Sequence, residues 1–173
     1  MWNARTILKD IADAERRRRV LSAFWRHGEM QAKLMAQMQL AKALHFREET
    51  IRKMPPDKKA DLLASRLASP EFEQTLEMAL MQYHTEEQKT LLAAFLDHWQ
   101  IPHENGSIEA DEYPTPTTEQ VRDAVKTLTN FDARDVALYL ATAGLLMGED
   151  WRESTTPVVD EILKTVQPGP SAD

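Results

Sequence analysis

Apolar residues in this chain recur at steps of three and four, and prolines, glycines and capping residues cut the recurrence into helix-length pieces. From Ala4 to Arg26, the residues Ile7, Ile11, Ala14, Leu21 and Trp25 make a heptad seam, with Arg18 in its one polar slot. Gly28 is expected to end this helix where a left-handed residue is cheapest. A second long helix is expected from Glu29 to Lys53. Its apolar side is Met30, Leu34, Met38, Ala41, Leu44 or His45, and Ile51, widened by Met35 and Leu40, and Pro55 and Pro56 stop it. The two read as a helical hairpin over residues 1–54, with the methionines as core or interface packing.

Shorter helices follow. DKKADLLASRLA offers Leu62, Leu63 and Leu67, and Ser69 with Pro70 suits the start of a helix that turns Phe72, Leu76, Ala79, Leu80 and Tyr83 inward. Thr85 with Gln88, and Thr117 with Gln120, have capping-box spacing. Asp132 caps a helix burying Val136, Tyr139, Leu140, Ala143 and Leu146, and Thr156 with Pro157 begins one more. No period-two run of convincing length appears, and the short Ser107 to Glu109 piece is the one candidate for extended chain. The expectation is an all-α protein of about seven to eight helices forming one structural domain. It comprises the hairpin, an irregular helical bundle over residues 55–166, a central loop over 101–117, and a frayed tail over 167–173.

Charge divides the chain at nearly the same place. Residues 1–59 carry 14 Lys+Arg against 7 Asp+Glu, and residues 60–173 carry 7 against 21, so a basic hairpin precedes an acidic bundle. The densest run, Arg16 to Arg19, invites a phosphate-binding reading. Four consecutive helical residues point around most of the circumference, however, and Asp10, Asp13 and Glu15 are within reach, so a salt-bridged face is the better expectation.

The central loop collects titratable groups. Its run IPHENGSIEADE resembles a calcium loop in the placing of Gly106 and Glu112, but Ile101, Pro102 and His103 stand where leading carboxylates are needed. Asn105-Gly106 reads as a tight turn with positive φ. Trp99, Ile101, Ile108 and Tyr113 are the apolar residues expected to anchor the loop. His98, His103, Glu104, Asp111 and Glu112 are the metal-ligand candidates, though no HExxH or inward Glu-x-x-His pair supports them, and no metal or cofactor is expected. With no cysteine, no GxSxG elbow and no glycine-rich phosphate cradle, catalysis has no sequence support.

No apolar run approaches the ~20 residues of a membrane span, and the first residues lack a signal-peptide core, so a cytoplasmic protein is expected. The leading function is non-enzymatic protein–protein interaction, assembly or regulation. Its surface would be Ile7, Ile11, Arg18, Leu21, Trp25, Met30, Leu34 and Met38, and a homodimer is suspected. Nucleic-acid binding through Arg16 to Arg19 and a His/carboxylate metalloprotein are the alternatives.

Overall fold

A computed structural model describes residues 2–108 and 114–166. The chain is all-α, as its periodicity indicates, with ten α-helices, two π segments, one 3-10 turn and a two-residue hairpin among the described residues, which exceeds the seven to eight helices expected. Backbone contacts divide it into two compact units, Met1–Gln88 and Lys89–Asp173. Pro55 and Pro56 lie inside the first.

In the first unit, the continuous helix expected from Ala4 to Arg26 is interrupted. Helix α1 (Ala4–Thr6) runs into a π segment at Ile7–Ile11, the chain extends at Ala12, and α2 (Ala14–His27) starts afresh. Asp13 explains the restart, since its carboxylate accepts the Arg16 N–H at 2.8 Å as an N-cap. The carbonyls left open by the break are taken by Arg17, whose guanidinium donates to Leu8 O at 2.9 Å and Ala12 O at 3.1 Å. Glu73 holds the other end, accepting the Ala4 N–H at 2.7 Å and the Arg5 side chain at 2.6 Å.

Helix α2 ends at His27 with Gly28 beyond it, but the left-handed cap expected there does not form. Gly28 has φ −60°, and its role is spatial, because a Cβ at this position would lie 2.5 Å from Phe24 O. The second long helix is also two. Helix α3 (Met30–Leu44) stops at His45, which takes the left-handed conformation at φ 55°, and α4 (Glu48–Lys53) follows. His45 N–H bonds Lys42 O at 3.4 Å and Phe46 N–H bonds Ala41 O at 2.9 Å, a Schellman closure with histidine in the usual glycine place.

Helix α5 (Pro56–Ala64), a 3-10 turn at Pro70–Phe72 and α6 (Glu73–Gln82) complete the unit with a second π segment at Tyr83–Glu87. Helix α2 packs on α5 and α6, and Ile7, Leu21, Leu63, Leu76 and Leu80 are wholly buried in this core. The Thr85–Gln88 capping box does not exist. Thr85 instead donates to Met81 O at 3.0 Å within the π turn, and Gln88 donates to the Tyr83 hydroxyl at 2.7 Å.

In the second unit, α7 (Lys89–His98) leads through a short hairpin to α8 (Thr118–Thr127), α9 (Ala133–Leu146) and α10 (Glu149–Thr165). The Thr117–Gln120 capping box and the Asp132 cap form as expected. Helix α9 is buried continuously from Val136 to Gly144, whereas Leu146, expected inside, is exposed. Pro157 lies within α10 rather than at its start. The preceding Trp151, Ser154 and Thr155 are buried, and their packing offsets the roughly 3 kcal/mol that an interior proline costs. Phe95 stacks near Tyr139 and Trp99, and Trp99 meets Trp151 edge-on, a continuous aromatic chain through the unit.

Candidate docking face

The residues proposed from sequence as one interaction surface divide between core and solvent. Ile7, Ile11, Leu21 and Trp25 are 0–5 % exposed, so the heptad seam is covered by the first unit itself and cannot be offered to another chain. Trp25 lies beneath the Lys59 amine at 5.2 Å, and burial, then the nearby Lys33 charge, lowers the Lys59 pKa. Arg18 is exposed and pairs with Asp61 at 3.3 Å. Met30, Leu34 and Met38 are outside.

Helix α3 explains the difference. Its sequence MQAKLMAQMQLAKAL is made almost entirely of strong helix formers, with no β-branched residue and no acid. Apolar residues occur all around its circumference, so periodicity cannot choose an inner side. The fold turns the small side inward, burying Ala36, Leu40 and Ala41, and leaves Met30 70 %, Leu34 45 %, Met35 54 % and Met38 55 % exposed. Eight large apolar side chains are exposed among the described residues. Four lie on this one helix and a fifth, Phe46, follows its end, which makes a patch rather than scatter.

The patch has relief. Leu34, Gln37 and Met38 face Glu48, Glu49 and Arg52 of α4 across a shallow groove. Glu49 is engaged with Arg52 and with Lys53, the latter at 3.1 Å. On another side of α3, Ala32 shares a hollow with Phe24, Gly28, Met78 and Met81. Met38 borders the first and Met78 and Met81 the second, and such flexible, polarisable side chains suit adaptable contact.

The other candidates from sequence take structural positions. Arg16 pairs with Asp13, Arg17 caps the broken α1–π segment, and Arg18 pairs with Asp61, so three of the four guanidiniums point to different intramolecular partners rather than making one basic face. In the central loop, His103–Glu104 and Ser107–Ile108 pair as a hairpin around Asn105 and Gly106, both at positive φ. A Cβ on Gly106 would lie 3.0 Å from the Leu92 Cβ, so glycine is required twice over. Nδ1 of His103 accepts the Gly106 N–H at 3.1 Å, which leaves Nε2 to donate to Asp97 at 3.0 Å. The ring thereby clamps the turn to α7. Ile101 is buried, and Trp99 donates to Gln120 O at 3.4 Å. Tyr113, Asp111 and Glu112 lie outside the described residues, as does the tail. Among the described residues, no group of three or more His, Asp or Glu side chains, His98, His103 and Glu104 included, is placed to hold a metal ion.

His98 borders a polar cleft with Trp99, Gln120 and Asp123, and the Asp123 carboxyl is held below its ordinary pKa mainly by the hydrogen bond from Lys126. Among the described residues, no helix is long and apolar enough to cross a membrane. Comparison with models of known protein families, with curated proteins and with solved structures finds no match.

Proposed function

We propose that this chain is a non-catalytic protein-docking module whose contact surface is the outward face of α3. The observation that carries the reading is the concentration in solvent, on one helix, of Met30, Leu34, Met35 and Met38, four of the eight large apolar side chains exposed among the described residues. Leaving such a face wet costs free energy, and partners are what recover it. A helical face of this kind is read by a complementary helix or groove through anchors one turn apart. A reducing cytoplasm suits a chain without cysteine.

A photo-crosslinking amino acid at Met35 tests the reading in the cells that make the protein, with Glu153 of the second unit as control. The expected result is one discrete adduct from position 35, identifiable by mass spectrometry and lost on Met38→Glu with the melting temperature unchanged. Absence of an adduct, or equal labelling from both positions, would overturn it.

A further inference from the structure

We infer that Lys33 and Lys59 hold a phosphoryl dianion, free or carried on a small ester, beside Trp25 in the first unit.

Lys59 is the residue that leads there. It lies on the inner side of α5 with Ala60 and Leu63 and is only 9 % exposed. A lysine this far from water ordinarily has a carboxylate beside it, because an ammonium group that loses hydration needs a counter-charge. Lys59 has none. Its amine stands 5.2 Å from the centre of the Trp25 ring, and the charge that acts on it is that of another cation, Lys33. The Lys33 amine is anchored to the same tryptophan, donating to the Trp25 carbonyl at 3.5 Å, the outer limit of a hydrogen bond. Neither lysine makes an ion pair among the described residues. The acids of the surrounding turns are engaged elsewhere. Asp57 accepts the Ser22 hydroxyl at 2.9 Å, Asp61 pairs with Arg18, and Glu29, a turn before Lys33, borders the hollow beside Met78. Trp25 adds a third donor, its buried indole N–H, which has no acceptor among the described residues. Donors from α2, α3 and α5 thus meet around one residue with no carboxylate among them.

The chemistry of the partner follows from the donors. Two ammonium groups carry two positive charges, and a phosphoryl group is close to doubly negative at neutral pH, with three oxygens to share. Each ammonium is a compact charge with three rotatable donors, so it closes on such a group without a fixed fork geometry. A carboxylate would leave one of the two charges uncompensated. Lys33 shares its side of α3 with the buried Leu40, seven residues on, and points away from Met35, so this site is separate from the outward face.

Calorimetric titration of the full chain at pH 7.5 and constant ionic strength, with inorganic phosphate, phosphoserine and acetate as probes, tests it. The expected outcome is one phosphoryl group per chain with a dissociation constant of about a millimolar, and a melting temperature that rises with its concentration. Lys59→Met, which keeps an apolar stem, should lose at least about tenfold in affinity, Lys33→Gln about three- to tenfold, and Lys58→Met, at an exposed neighbouring position, nothing. Without phosphate, Lys59→Met should melt no lower than the parent, because it removes a charge that then has no partner. Phosphoserine bound more tightly than inorganic phosphate assigns the site to an ester, and the reverse assigns it to the free ion.

Absence of saturable phosphate binding below about 10 mM would overturn the inference. So would binding unchanged in both Lys59→Met and Lys33→Gln, or acetate bound as tightly as phosphate. Lys33 is half-exposed, so its variant keeps the test decisive should Lys59→Met fail to fold.

Discussion

His84 follows Tyr83 in the π turn at the end of the first unit, 3 % exposed, with its ring edge-on to Tyr83 at 5.2 Å. Complete burial drives its pKa down from 6.5 to about 3, so the imidazole is neutral in the folded protein. The unfolded chain protonates this residue near pH 6.5 and the folded chain does not. Between those values the unfolded state therefore binds more protons, and stability rises with pH. The contribution is complete above about pH 6.5 and is lost progressively as pH falls toward 3, on the order of a few kcal/mol at the acid end. Carboxylates titrate in the same range, so the comparison between variants isolates the histidine. His84→Met should flatten the acid limb of a stability–pH curve measured by urea unfolding from pH 7.5 to 4. An unchanged slope would remove His84 from the account.

Nothing at the level of residue type announced this burial, because His84 stands beside Glu86 and Glu87 in a stretch that reads as polar surface. His45 was hidden in a similar way. Histidine pays for left-handed backbone where glycine would not, so a helix end that depends on it has no glycine to mark it. Thr117, Gln120 and Asp132 were legible, because their caps depend only on neighbours three residues away or fewer.

Among the elements, the distinction between visible and hidden follows whether an amphipathic pattern exists. Helix α6 has one inner side, and Phe72, Leu76, Ala79, Leu80 and Tyr83 are buried as their spacing indicates. Helix α3 has apolar residues on every side, so only its neighbours decide that the alanines go in and the methionines go out. That choice relocates the candidate interface from the Ile7 to Trp25 seam to the outer α3 face, while Met30, Leu34 and Met38 remain within it. The α9–α10 pair shows the same dependence on tertiary context. A Cβ on Gly144 would lie 2.5 Å from Thr155 Oγ1 and 3.2 Å from the Arg152 Cα, so the helices approach closely only because that side chain is absent. Gly144→Ala should accordingly destabilise the protein by about 1–3 kcal/mol, despite alanine's better helix propensity. Urea unfolding measures it, and a stabilised variant would mean that the helices separate without cost.

For the whole molecule, the charge reading from sequence placed a boundary near Pro55–Pro56, where composition changes, but cores rather than composition define the units. Residues 1–88 carry 15 Lys+Arg against 13 Asp+Glu and residues 89–173 carry 6 against 15, so the basic hairpin is largely balanced by acids of its own unit, Asp61 and Glu73 among them. Each unit also encloses a set of fully buried side chains. Ile7, Leu8, Ile11, Leu21, Leu63, Phe72 and Leu76 occupy the first, and Leu91, Phe95, Val121, Leu138, Leu140 and Val159 the second. Chains of this length bury somewhat more than the roughly 60 % of surface typical of a 60-residue domain, enough for folding without disulfides or metal. Residues 1–88 and 89–173 made as separate fragments should therefore each be helical and unfold cooperatively. Because the first keeps the whole of α3, a photo-crosslinking amino acid at Met35 should give the same adduct in it as in the parent chain. Circular dichroism melts of the two fragments and the crosslink on the first check both statements. A first fragment that melts without a transition would show that its core is completed elsewhere, and a folded first fragment that lacks the Met35 adduct would move the interface off α3.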